Sequence, residues 1–370
     1  MKKINVTKAL LPELKDYVKE LEDIWDSHQL TSKGSKHNAL LDAIKERLEV
    51  SEASLFVNGH LALEAILEAY GLKGEIITTA FTFPSTTHAI VRMGCTPVFA
   101  DIKEDDFTLD PKSIEAKITD KTVAILPVHI LGNVCDVEAI ETIAKKHHLK
   151  VIYDAAHIFG TKLNKIGVGN FGDASMFSMN ATKVFNTIEG GLLTYKDASL
   201  TKKLELIKYY GMESSEDITY IGSNLKMNEF QAAMGLCNLP LLDKEIELRK
   251  QIANTYGEEL SKYTGIIAPN YKSTIEYNYS YFPILIDHPS ISRDEVFEHL
   301  KNKGINAKKY FYPLVTDYAC YKGKYEDNLP VSRRISEQIL CLPLYGEMSS
   351  EEHTFILDTL VALLSREYKI

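Results

Sequence analysis

Between Ala53 and Asp154 short apolar runs alternate with amphipathic ones, and that alternation constrains the fold more than any other feature of the chain. "ASLFVNG" reads as a strand and its turn, and "HLALEAILEAYGL" has the spacing of a helix that stops at Gly71. "EIITTA", "TPVFADI", "TVAILPVHI" and "KVIYDAA" read as further strands, separated by the helical stretches "PSTTHAIVRMG", "PKSIEAKI" and "DVEAIETIAKKHH". Strands that are apolar on both faces, each followed by a helix, belong in a parallel sheet covered on both sides. Two more runs, "ASMFSM" and "GGLLTY", stand close enough together to be antiparallel neighbours at one edge. The expected fold class is therefore α/β, with a mainly parallel, mixed, seven-stranded sheet. After the long charged helix "LPLLDKEIELRKQIANTYGEELSKY" the texture changes to a smaller α+β pattern. A boundary near 245 gives a large α/β domain over 1–245 and a small C-terminal domain over 246–370, ending on the helix "SSEEHTFILDTLVALLSREY".

Charge and composition remove several classes of function. A net charge of −9 argues against nucleic-acid binding, which needs clustered Lys and Arg. The nearest basic run, Lys301–Lys309, reads as a solvated helix and turn. No run of ~18 apolar residues is present and the opening "MKKINVTKALLPELKDY" lacks a signal-peptide core, so no membrane contact and a cytoplasmic location are expected. The five cysteines are scattered without a CxxC, as reduced thiols would be. The eleven histidines form no metal-ligand spacing, so no metal is expected.

In an open parallel sheet, ligands sit at the carboxyl ends of the strands. Asn58-Gly59-His60 follows the first strand and opens a helix, whose free N–H groups and positive end suit an anion such as phosphate. A strand–Gly–helix turn is also common as plain structure. Asp154 ends "KVIYD", where a buried carboxylate needs a positive partner; it either caps or pairs structurally, or meets a cation such as a protonated pyridine nitrogen. Lys183 follows another strand, in "FSMNATKVFNTIEGGLLTY", beside Ser178, Asn180 and Thr182. A lysine in a semi-apolar pocket has a lowered pKa and becomes a nucleophile toward aldehydes. Most loop lysines do nothing of the kind. The conjunction of phosphate turn, strand-end Asp and sheltered lysine is what points to pyridoxal phosphate.

The ordered stretches "NGHLAL", "TTAFTFPSTTHAI", "PVFADI", "LPVHILGN", "VIYDAAHIFG", "FSMNATKVFNTIEGGLL" and "GSNLKMNEFQAAMGL" resemble the DegT–StrS sugar aminotransferases, which are fold-type-I pyridoxal phosphate enzymes. The resemblance continues through "GINAKKYFYPL" and "CLPLYGEMSSEE". It implies that Lys183 is the Schiff-base lysine, that Asp154 holds the pyridine nitrogen and that His157 lies beside the ring hydroxyl. It further implies that Phe83 stacks on the ring, that Gly59, His60 and Ser178 form the phosphate cup, and that Asn224 reaches the phosphate from the partner subunit of a homodimer. His60 stands where the family usually has Thr, Asn180 where many members have His, and Lys226 where Arg is usual. The last change weakens a bidentate anion contact to a point charge.

Keeping the lysine, which the family's dehydratase branch replaces by histidine, favours transamination. The implied reaction moves an amino group from L-glutamate to a nucleotide-linked keto-sugar. "NATK", "EGG" and "DAAH" are similar to the branch acting at C4 of dTDP-4-keto-6-deoxyglucose, for the amino sugars of surface glycans such as lipopolysaccharide O-antigen. C3 amination and UDP- or GDP-linked acceptors are the alternatives. Tyr310, Phe311 and Tyr312 match the segment near sugar and nucleotide, or else pack between domains. A non-catalytic cofactor-binding regulator is the reading from another class. A Rossmann oxidoreductase would need a GxGxxG that "NGHLAL" lacks.

Overall fold

Seven strands form one sheet: β1 (Glu52–Phe56), β2 (Glu75–Thr79), β3 (Thr96–Ala100), β4 (Thr122–Ile125), β5 (Lys150–Asp154), β6 (Ala174–Ser178) and β7 (Gly191–Tyr195). They come from a computed structural model that describes residues 3–326 and 328–364. The spatial order is β1-β7-β6-β5-β4-β2-β3. β2 to β6 pair in parallel, whereas β7 is antiparallel to both β1 and β6. The mixed, mainly parallel sheet is thus as expected, but β6 and β7 do not form its edge. β1 does, with β7 slotted inside it.

The expected strand "TVAILPVHI" is cut short at Ile125. Pro127 has no N–H to give a ladder, and pairing resumes only as an isolated bridge between Val128 and Asp154. Helix α1 (Gly59–Ala69) starts where Asn58 accepts the N–H of Leu61 at 2.9 Å. Helix α2 (Pro84–Arg92) starts with proline in its first turn, where the missing N–H costs nothing.

Gly191 opens β7 against the start of α1, and a Cβ there would lie 2.2 Å from the Asn58 carbonyl oxygen. The second glycine of "EGG" is therefore a close backbone approach. It holds the lysine segment against the helix end.

Helix α3 (Leu242–Leu260) runs unbroken through position 245. Its start packs in the core under the large sheet, through Leu242, while Ala253, Tyr256 and Leu260 pack in a second core with Phe282, Ile284 and Leu342. That second core lies on a small antiparallel sheet of Ile266–Ile267, Phe282–Ile286 and Ile339–Leu342. The last described helix is Ser350–Leu364; the end of the expected helix, 365–368, lies outside the described residues.

The opening residues join the C-terminal half. Ile4–Asn5 pairs in parallel with Ile305–Asn306, and Val6 accepts the N–H of Leu344 at 3.0 Å. A few residues on, the Leu10 carbonyl accepts from Asn186 at 2.9 Å and from Asn238 at 3.4 Å.

Candidate active site

A cavity of about 500 Å³ opens past the carboxyl ends of the strands, and aromatic residues of the C-terminal half close one side of it. Gly59 and His60 enter after β1, Phe83 and Ser85 after β2, Asp154 and His157 from β5, and Ser178 and Lys183 from β6. Tyr281, Tyr310 and Phe311 form the opposing wall.

Lys183 sits in the loop between β6 and β7, and the residues after it hold the loop down. Val184, Phe185, Asn186 and Thr187 are all buried, and the Phe185 ring stacks on Phe159 with centroids 4.4 Å apart. Burial of such a phenyl contributes about 2–3 kcal/mol. Lys183 itself is half-buried, and its amine has no hydrogen bond or ion pair among the described residues. Burial pulls its pKa down to about 8, against the opposing pull of the Asp154 charge. Lys208 makes the contrast. Lys208 is more deeply buried, yet it donates to Ser54 at 2.7 Å and to Leu55 at 3.2 Å and pairs with Glu205 at 2.9 Å. Its amine is committed; that of Lys183 is free.

Asp154 is buried, and burial raises its pKa; hydrogen bonds from Thr86 and Ala156, and the charge of Lys183, oppose the rise. The Thr86 hydroxyl donates at 2.8 Å and the Ala156 N–H at 3.1 Å. Thr86 also meets Thr82 at 3.0 Å. We expect Thr86→Val to cost about 1–3 kcal/mol of stability, since it removes a donor to a buried carboxylate. Urea denaturation of the cofactor-free protein measures this, and an unchanged midpoint would refute it.

His157 is buried, and burial holds its pKa well below the usual imidazole value, helped by the Lys183 charge. Its Nδ1 accepts the Leu131 N–H at 3.1 Å, so the neutral ring carries its proton on Nε2. The ring lies parallel to Phe311 and edge-on to Tyr281.

His60 is tied down at both nitrogens. Nδ1 lies 2.8 Å from the Ser85 hydroxyl and Nε2 lies 3.1 Å from Glu64, a buried carboxylate that also pairs with Arg92. Ser178 accepts the Asn180 N–H at 3.4 Å, and Asn180 donates to Glu189 at 2.6 Å. Phe83 lines the cavity with its phenyl 58% exposed, which leaves an apolar face uncovered at the mouth.

Three of the expected residues are not in this cavity. Asn224 is exposed on a segment bridged to Tyr209, and Lys226 lies over the rings of Tyr209 and Tyr210 at 5.2 and 5.0 Å. Tyr312 is half-exposed under the Arg293 guanidinium at 4.6 Å. Conversely, sequence reasoning missed Thr86, Ser85, Glu64 and Tyr281. The signal for the first two was the hydroxyl run "PSTT" in the first turn of α2, read only as a helix start.

A family model described as the DegT/DnrJ/EryC1/StrS aminotransferase family matches residues 13–361. The chain is 41% identical over 362 residues to a dTDP-4-amino-4,6-dideoxy-D-glucose transaminase of Shigella dysenteriae, covering 97% of this chain and 98% of that protein. An Escherichia coli protein of the same description is 41% identical over 357 residues, covering 95% and 96%. A solved structure of DesI in the presence of its TDP-sugar product superposes with a TM-score of 0.95 at 29% identity, covering 99% of this chain and 94% of that one.

Proposed function

Since the chain belongs to the DegT/DnrJ/EryC1/StrS aminotransferase family, we propose that it transfers an amino group from L-glutamate to C4 of dTDP-4-keto-6-deoxyglucose. The observation that carries this reading is the unpartnered amine of Lys183 sharing one cavity with the buried carboxylate of Asp154. Whole-length similarity to two transaminases of that amino sugar supports the acceptor.

The cofactor is pyridoxal 5′-phosphate, whose cationic ring acts, when bound, as the sink for the electron pair left on carbon. The residues present fit it. Asp154 receives only neutral donors, so a protonated ring nitrogen would supply the missing positive partner. The His157 Nε2–H would donate to a ring oxygen, and the exposed Phe83 phenyl would offer a face to a flat heterocycle. The backbone N–H groups of Gly59 and His60 at the start of α1, with Ser178 at the end of β6, would hold the phosphate.

Lys183 would hold the cofactor through its amine. When free, that amine would take the proton from the donor's Cα and return it to the cofactor's reactive carbon. With a pKa of about 8, it works as either base or acid near neutral pH. Asp154 would keep the ring nitrogen cationic. The aromatic wall of Tyr281, Tyr310 and Phe311 excludes water from the same space and offers the sugar ring a surface.

Asn224 and Lys226 enter the reading through a second copy of the chain. They are not in their own cavity, and the homodimer would bring them to the partner's phosphate and substrate. No described helix is long and apolar enough to cross a membrane, which accords with a cytoplasmic enzyme making nucleotide amino sugars for surface glycans.

The test is turnover on a panel of keto-sugars with glutamate as donor. The expected result is 2-oxoglutarate and a 4-amino-4,6-dideoxy product from the dTDP-linked substrate. Preference for a UDP- or GDP-linked acceptor, or amination at C3, would move the assignment within the family. Cofactor binding with no donor half-reaction would turn it toward a regulator.

A further inference from the structure

The row Glu64–His60–Ser85 has an electrostatic consequence for any phosphate bound beside it. The Glu64 carboxylate, paired with Arg92, accepts a hydrogen bond from His60 Nε2–H across their 3.1 Å contact. A neutral imidazole then has a bare Nδ1, and its partner at 2.8 Å is the Ser85 hydroxyl. Ser85 has one proton, and in this state it points at His60. The cavity side of the hydroxyl therefore offers lone pairs. A phosphate dianion is also an acceptor only, so the two repel.

One proton resolves the conflict. With Nδ1 protonated, His60 donates to the Ser85 oxygen, and the hydroxyl proton of Ser85 turns into the cavity to donate to phosphate. The imidazolium then lies between the Glu64 carboxylate and the bound anion, with opposite charge on both sides. We propose that His60 is a positioning residue that takes up a proton when the cofactor phosphate binds, converting Ser85 from acceptor to donor. This rests on the cofactor reading above. It also gives a role to the histidine that stands where the family usually has threonine.

Among the described residues, the groups facing His60 are these. Glu64 comes from its own helix; Ser85, His88 and Arg92 come from α2; and Tyr321 is hydrogen-bonded to His88 at 2.5 Å. Burial lowers the His88 pKa.

The experiment is calorimetry on the full-length, cofactor-free protein in buffers of different ionisation enthalpy near pH 8. Pyridoxamine phosphate and pyridoxamine are the probes, since neither reacts with Lys183. The phosphorylated ligand is expected to bind with uptake of about one proton more than the unphosphorylated one, so its relative affinity falls by roughly tenfold per pH unit at high pH. In His60→Thr and in Glu64→Gln that difference should disappear, while pyridoxamine affinity stays the same. An equal proton difference in His60→Thr, or none in the wild type, would overturn the relay alone. Failure of pyridoxamine phosphate to bind at all would overturn the cofactor reading, and the relay with it. Circular dichroism and melting of both variants separate loss of the relay from loss of the fold.

Discussion

Lys183→Ala is expected to leave a folded protein that still binds pyridoxamine phosphate but loses turnover by about 10³-fold or more. The fold should survive because the loop is anchored by Val184, Phe185, Asn186 and Thr187, and the lysine amine makes no bond that the variant would break. Removing a desolvated ammonium relieves the chain of a charge that burial disfavours. Activity fails because no other lysine among the described residues lines the cavity, and the buried Lys208 is held by Ser54, Leu55 and Glu205. Borohydride reduction and mass spectrometry should place the wild-type adduct on Lys183 and find none in the variant. The pH dependence has a definite sign. At a pKa of about 8, the amine is about one-tenth neutral at pH 7, so capture of the aldehyde should rise as pH rises through about 8, not near the ordinary lysine value. Multiple turnover by the variant would contradict the assignment.

Asp154→Asn is expected to slow donor turnover by on the order of 10²–10³-fold, the scale of losing one preorganised charge in a dry site. Asn keeps an oxygen for the Ala156 N–H, which reaches Oδ1, and puts its NH2 group at Oδ2, where the Thr86 hydroxyl can turn to accept, so the local geometry should hold. What it loses is the negative charge that keeps the ring nitrogen cationic. Stability should move the other way. Burial raises the Asp154 pKa, so the folded chain binds that proton more tightly than the unfolded one, and stability falls as pH rises from the unfolded pKa to the raised folded one. Without an ionisable group, the cofactor-free variant should melt at or above the wild-type temperature at neutral pH. Near-normal single-turnover rates with glutamate would remove Asp154 from its role, and a large drop in melting temperature would contradict the account of its burial.

Much of the large domain is legible along the chain because its strands are apolar runs closed by Gly, Pro or capping residues. Asn58, Asp136 and Ser292 each cap the helix that follows them. Strand order is another matter. Nothing in "GGLLTY" says that it pairs with "EASLF" more than a hundred residues earlier, because sheet register is a tertiary choice. The two-residue strands at Lys162–Leu163, Ile166–Gly167 and Ile275–Glu276 carry no periodicity to read. Within the site, charged and strand-end residues stand out because their chemistry is unusual for their place. Thr86 and Glu64 do not, since each is ordinary on a helix and gains its meaning only from the residue across from it.

The opening arm has a practical consequence. Its first strand is stitched to Ile305–Asn306, and a few residues later its Leu10 carbonyl is gripped by Asn186, three positions beyond Lys183. Anyone shortening or re-engineering this chain from its front should regard those residues as a tether on the loop that carries Lys183, because a cut far away in sequence would slacken that loop.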